Sequence, residues 1–170
     1  MENVDPNTTR NLITNELNPE QNKKIKLKPV TPRSYDENGY RMRVYGLCQN
    51  ERGNVLLITA SGNKNFHVLP GGGIDPGETP EQTVVREVLE EAGVHIKIDN
   101  YLDQVYDNNK KTRSWVFKCS VISQKDNWLE NEKWPFRERM WVEDIETAVE
   151  VLDKFKKEQG RVLELLQIDQ

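Results

Sequence analysis

The sequence predicts an α+β domain, and three observations carry that expectation. Strand-like apolar runs dominate the chain from Tyr40 to Val142. A capped amphipathic helix interrupts them after a glycine run, and a second amphipathic segment follows the last strand. In order, residues 1–30 are rich in Asn, Glu, Lys and Thr with no stable period, and read as a flexible extension ahead of a domain spanning 31–170. "YRMRVYGLC" and "NVLLITA", separated by the turn-rich "QNERG", read as a hairpin. After "FHVL" come Gly71-Gly72-Gly73 and "IDPGE", which are incompatible with regular structure. A helix then starts at Thr79 as N-cap, with Pro80 in the first position and Gln82 at capping-box spacing. Val84, Val85, Val88, Leu89 and Ala92 form its apolar stripe, and Gly93 stops it. Strands are expected over 94–106 and 112–122 around the turn "DNNKK", with a short one near Arg139–Val142. A closing helix runs from about Asp144 to Leu166, broken near Gly160.

Bulk properties narrow the class. A chain of 170 residues can bury one core, and 31% charged residues is ordinary for a soluble protein. No apolar run approaches the ~18–20 residues of a membrane span, and the N-terminus lacks the pattern of a secretory signal. Cys48 and Cys119 lie far apart with no CxxC, so they read as buried free thiols of an intracellular protein, cytoplasmic with the nucleus as a second compartment. A net charge of −4 argues against a dedicated nucleic-acid binder. The mean hides a bias: between Lys23 and Arg43 seven basic residues stand against Asp36 and Glu37.

The sharpest local signal is "REVLEEAG", residues 86–93. On a helical wheel Glu87, Glu91 and Glu90 fall at roughly 0°, 40° and −60°, and the apolar stripe at roughly 60° to 200°. A solvated acidic face is the ordinary reading of such a helix. Two features weigh against it: Glu87 and Glu91 form a like-charge i, i+4 pair with no lysine at compensating spacing, and a glycine-rich loop precedes the helix. Clustered carboxylates beside a glycine loop suit a hard divalent cation, which takes oxygen ligands.

Gly72, five residues, Glu78, seven residues and then Arg86-Glu87-Val88-Leu89-Glu90-Glu91-Ala92-Gly93-Val94 match every defined position of the Nudix box, G-x5-E-x7-R-E-U-x-E-E-x-G-U. A chance match in this chain is on the order of one in a million or less. The chain thus resembles the Nudix hydrolases, which implies an α/β/α sandwich with a mixed central sheet, a catalytic loop-helix-loop and a C-terminal helix. The resemblance further implies an enzyme that hydrolyses a diphosphate linked to another moiety, with Mg²⁺ as cofactor and Mn²⁺ as a substitute. Carried over position by position, Glu87 and Glu91 look like metal ligands, helped by the Gly71 carbonyl. Glu90 resembles a position that ligates metal or takes the proton from the attacking water. Arg86 matches the arginine that orients the glutamates, and Glu78 looks like a supporting position.

The flanks resemble one subfamily, the diphosphoinositol polyphosphate phosphohydrolases, over roughly residues 33–156. "RSYDENGYRMR", "VLPGGGIDPGE", "DNW" at 126–128 and "FRERMWVEDIETAVEVL" at 136–152 carry that likeness. A ring bearing many phosphoryl groups needs many cations, with arginine preferred for bidentate contacts. By position, Arg33, Arg41, Arg43, Lys110, Lys111, Arg137 and Lys156 match the subfamily's basic pocket. Ser61 and Gly72 match further substrate-binding positions, with Arg113 and Arg139 as secondary basics. The chain departs at Gly62, where a basic residue is expected with Lys64 nearby, at Phe66-His67, and at Thr112, where a histidine is expected. The expected partner is a small, highly anionic phosphate compound, with no membrane.

Other readings use the same metal site. Dinucleoside polyphosphates, linear polyphosphate or RNA caps could occupy the pocket, and base stacking would call on Tyr45, Tyr106 or Trp115, each of which otherwise reads as core. A non-catalytic phosphate-ligand sensor is a third reading, opposed by the intact Glu87, Glu90 and Glu91. His67 and His95 read as structural. Trp128, Trp134 and Trp141 read as core or as braces of the last strand. Lys23, Lys24, Lys26 and Lys28 could hold anionic partners.

Overall fold

The computed structural model describes residues 34–60, 63–126 and 138–153. The expected extension over 1–30 with its lysines, Arg33, Ser61, Gly62, Trp128, Trp134, Arg137, Lys156 and the second half of the closing helix lie outside the described residues. The elements are β1 (Arg41–Gln49), β2 (Val55–Ala60), β3 (Asn63–Val68), α1 (Pro80–Ala92), β4 (Val94–Asp107), β5 (Thr112–Gln124), β6 (Arg139–Val142) and α2 (Ile145–Asp153). They build a six-stranded mixed sheet in the order β3-β2-β1-β5-β4, with β6 on β2.

The strand at the centre is β1. Along one edge it runs parallel to β5, in register from Arg41 opposite Thr112 to Gln49 opposite Ser120. Its other edge receives the glycine segment: Val44 N–H donates to the Gly72 carbonyl at 2.9 Å, Gly46 N–H to Pro70 at 2.9 Å, and Ile74 N–H to Met42 at 3.1 Å. The expected β1–β2 hairpin is therefore corrected to an open one, paired at Gln49 and Val55 next to its turn. Beyond that pair the ladder positions of β1 are taken, and β2 turns to β3 and β6 instead. The glycine run is likewise not a simple loop, since Gly73 forms a bridge with Arg43. Only residues without side chains fit there: a Cβ on Gly71 would strike the Val44 carbonyl oxygen.

Strand alternation sorts the core into two layers. Val44, Cys48, Leu56, Ile58, Phe117 and Cys119 meet Val84, Val88 and Ala92 of α1. Leu47, Val55, Leu57 and Val116 face the opposite way and meet Ala148 and Leu152 of α2. The result is the helix–sheet–helix sandwich expected from the sequence. Within it the β1–β5 register sets Cys48 beside Cys119, both buried. The expectation of buried free thiols holds, and the fold brings together two cysteines far apart in the sequence.

Thr79 caps α1: its hydroxyl accepts from Gln82 N–H at 3.2 Å and its own N–H donates to the Gln82 side chain at 2.9 Å. Gly93 closes it at a left-handed φ of 62°. The buried face differs from the expected stripe. Val85 is 41% exposed and Leu89 is half-buried, while Thr83 and Glu91 are buried with Val84, Val88 and Ala92. On the wheel the buried arc runs from roughly −40° to 140°, so the helix is rotated to bring its carboxylate edge toward the sheet. Among the described residues no helix is long and apolar enough to cross a membrane.

Gly46 lies under α1, where a Cβ would meet Val88 Cγ2 at 3.0 Å and Val84 Cγ2 and Cys48 Sγ at 3.2 Å. Gly46→Ala should destabilise the fold by about 1–3 kcal/mol through overpacking against two stiff valines, as read by urea unfolding.

Candidate active site

The carboxylates are organised by one arginine. Arg86 presents its fork to Glu78, with Nε and Nη2 donating to Oε1 and Oε2 at 2.8 Å each. Nη1 donates to Glu87 at 2.9 Å and to Glu90 at 3.3 Å, and Nη2 to the Gly73 carbonyl at 3.3 Å. Asp75, which the sequence did not single out, stands 3.6 Å from Nη2. The i, i+4 spacing from Arg86 to Glu90 and adjacency to Glu87 follow from the helix; Glu78 arrives from the loop ahead of the N-cap. Thr83 locks Glu78 by donating to Oε2 at 2.8 Å. Glu78 is held down at a pKa of about 2, foremost by the Arg86 hydrogen bonds. The same partner raises the arginine's pKa, so the pair is ionised throughout the working range.

Glu91 lies one turn beyond Glu87 and is 6% exposed. Its Oε2 accepts from the Gly71 N–H at 2.8 Å. In an extended segment the N–H and C=O of one residue point to the same edge, while those of its neighbours point the other way. Pro70 and Gly72 aim their carbonyls at β1, while the Gly71 N–H is turned to the Glu91 side. Glu87 packs against Gly72, where a Cβ would overlap the carboxylate. Glu90 is 45% exposed at the outer rim.

Among the described residues no three His, Cys, Asp or Glu side chains stand together as a ready metal cage, because Glu87 and Glu90 are turned to Arg86. The donor set nevertheless fits a hard cation: every candidate ligand is an oxygen, and three are carboxylates.

The basic positions fall at one end of the same glycine segment. Arg41 Nη2 passes 2.8 Å from where a Cβ of Gly73 would stand, and Arg43 is bridged to Gly73. Arg43 also lies over the Tyr45 ring at 5.6 Å, and its Nε is buried without a hydrogen-bond partner among the described residues. Lys110 and Lys111 occupy the β4–β5 turn, joined to β1 by the 2.8 Å bond from Arg41 N–H to the Lys111 carbonyl. Lys110 is partly held by Asp107, with Nζ 3.2 Å from Oδ2, and Lys111 takes a left-handed φ of 48°. The structure thus brings Arg41, Arg43, Gly72, Lys110 and Lys111 to one end of the sheet.

Arg139 sits on β6 opposite Ile58, with burial lowering its pKa. The expected core roles hold for Tyr45 and Trp115, which pack at the margins of the two core layers, and are corrected for Tyr106. Tyr106 is 51% exposed, and Tyr45 and Trp115 are half-buried; each faces an arginine. Trp141 packs against the α1-side core as expected. His67 lies half-buried on β3 and His95 exposed on β4.

Because the Glu78 pKa is depressed when folded, its ion pair stabilises the protein above the unfolded pKa and is lost as pH falls from about 4.5 toward 2. Glu78→Gln should therefore lower stability at neutral pH and flatten its decline across that window. Urea midpoints at several pH values in chelator would show equal slopes for both proteins if the pair were inert.

The NUDIX domain family profile matches residues 39–166. Diphosphoinositol polyphosphate phosphohydrolase 3-alpha of Mus musculus is 37% identical over 148 residues, covering 85% of this chain and 88% of that protein. Diphosphoinositol polyphosphate phosphohydrolase 2 of Homo sapiens is 34% identical over 146 residues, covering 85% and 80%. Among solved structures, a NUDIX hydrolase from Nitrosomonas europaea superposes with a TM-score of 0.62 at 17% identity, over 76% of this chain and 90% of that one. A UDP-X diphosphatase gives 0.54 at 18% identity, over 99% and 74%. The two structures attest the fold, the family match and the relatives' identity attest kinship, and this chain belongs to the Nudix hydrolases.

Proposed function

We propose that this Nudix pyrophosphohydrolase hydrolyses the diphosphate groups of diphosphoinositol polyphosphates with Mg²⁺, Mn²⁺ serving as a substitute. The observation that carries the substrate class is the Arg41 guanidinium over Gly73, with Arg43 in backbone bridge to the same residue, one past Gly72 and two past Gly71, beside the lysine turn. A polyanion lying on these cations would reach the carboxylate ridge without leaving the glycine segment. The buried Arg43 Nε–H supports this, because buried donors are almost always satisfied and a phosphate oxygen is a suitable acceptor. The kinship with proteins named for this substrate supports the same reading.

Glu87, Glu91 and the Gly71 carbonyl would hold the cation. Bound there, Mg²⁺ supplies charge neutralisation at the phosphoryl oxygens and acidity to water. Arg86 keeps Glu87 and Glu90 oriented from outside the substrate. Glu90, exposed at the rim, takes a proton as the water oxygen bonds to phosphorus and the bridging P–O bond breaks. The leaving phosphate group departs along the basic end. Arg33, Ser61, Arg137 and Lys156 are assigned to the same pocket by sequence position alone. A cytoplasmic or nuclear location fits this chemistry.

A nucleotide or RNA-cap substrate would call for a free aromatic face. The exposed Tyr106 already meets the edge of Tyr40 and the Arg113 guanidinium, which favours the inositol compound.

Glu90→Gln should lower kcat by about two to four orders of magnitude while retaining ligand affinity. Phosphate release from a diphosphoinositol pentakisphosphate, with diadenosine hexaphosphate alongside, tests both the base and the substrate ranking. Near-normal turnover would move the base to another residue. Arg41→Ala combined with Arg43→Ala should raise KM for the inositol compound at least about tenfold. An equal rise for a nucleoside diphosphate sugar would contradict a polyanion cradle.

A further inference from the structure

Two turns that carry or flank the basic residues are built alike and joined. In the first, Asp36 Oδ1 accepts from the N–H groups of Asn38 at 3.0 Å and Tyr40 at 2.9 Å. In the second, Asp107 Oδ1 accepts from Asn109 at 2.9 Å and Lys110 at 3.0 Å. The first turn leads into Arg41; the second holds Lys110 and Lys111.

Between them stands Arg113. Its Nη1 donates to Asp36 Oδ2 at 3.5 Å, and that carboxylate is only 7% exposed. Nε donates to Gln104 at 2.7 Å, and the guanidinium stacks 4.7 Å from the Trp115 ring centre and 5.7 Å from that of Tyr106. Tyr40 adds a second tie: its hydroxyl donates to Asn108 Oδ1 at 3.0 Å, and its ring meets Tyr106 edge-on at 5.8 Å. The Tyr40 N–H, foremost, lowers the Asp36 pKa, so that carboxylate is charged at neutral pH.

We propose that Asp36, Arg113 and Tyr40 are positioning residues that staple the 36–40 turn to the 107–111 turn, so that Arg41 and the lysines form one preorganised phosphate cradle. The inference rests on the polyanion reading above. Arg113 takes a positioning role because its Nε and Nη1 are hydrogen-bonded and its guanidinium lies over two aromatic rings. The staple acts on affinity: a cradle of separate turns must otherwise be ordered when the ligand binds. The glutamate ridge lies on α1, outside the staple, so turnover of bound substrate is untouched.

The test uses the full chain and Asp36→Asn, which keeps the Oδ1 acceptor and removes the charge facing Arg113. Two readouts are followed: hydrogen exchange at the Asn109 and Lys110 amides, and the Kd for inositol hexakisphosphate with KM and kcat for a diphosphoinositol pentakisphosphate. The staple predicts amide exchange faster by about three- to tenfold across the other turn, and Kd and KM raised by about that factor with kcat within about twofold. Tyr40→Phe should move the same quantities in the same direction by less, and Asp36→Asn with Arg113→Gln should be no worse than the more severe single change. Unchanged exchange at the second turn overturns the staple, as does a fall in kcat with KM unchanged. Wild-type protein that fails to bind inositol hexakisphosphate overturns the substrate reading instead, and the exchange result still decides whether the two turns are coupled.

Discussion

Both edges of β1 are occupied, and most of the molecule follows from that constraint. On one side the parallel ladder with β5 fixes the sheet centre and the start of the basic end. On the other the glycine segment lies where β2 would continue, which opens the hairpin and turns the Gly71 N–H toward Glu91 of α1. The absence of side chains at Gly71 and Gly72 is what allows it, since a Cβ at either position would meet the Val44 carbonyl or the Glu87 carboxylate. Backbone hydrogen bonding, which must be satisfied inside a sheet, is here also the device that fixes the glycine segment against the buried Glu91.

Arg86 distributes one positive charge among Asp75, Glu78, Glu87 and Glu90. It holds Glu78 by a two-pronged contact and the two helix glutamates by single bonds, so its firmest tie is to the supporting residue. That ranking suits a scaffold arginine. Glu87 and Glu90, each on a single bond, remain able to exchange one partner for another, while the guanidinium stays anchored to the loop that begins the helix. A lysine could supply the charge but not the planar fork.

Much of this was legible in the sequence. Thr79, Pro80, Gln82 and Gly93 are local signals, and each governs the bonds expected of it. The spacing from Gly72 to Val94 carried the family. What escaped was long-range. The rotation that buries Glu91 and exposes Val85 is set by docking against β1 and the glycine segment, and a helical wheel assumes that apolar residues alone choose the buried face. The splayed hairpin escaped because the competitor for β1 lies some thirty residues downstream in the chain, beyond the reach of turn rules. The pairing of Asp36 with Arg113 escaped because 77 residues separate them and nothing local joins the two charges.

The adjacency of Cys48 and Cys119 has a practical consequence. Each thiol is sealed between the sheet and α1, and the neighbouring sulfur, with burial, raises the pKa of Cys48. Neither is reactive while the central strands and their helix remain together. The two sulfurs therefore form a built-in clock for opening of the sandwich: a thiol reagent can modify them only at the rate at which the β1–β5 centre parts from α1, and binding at the glutamate edge of that helix would slow it.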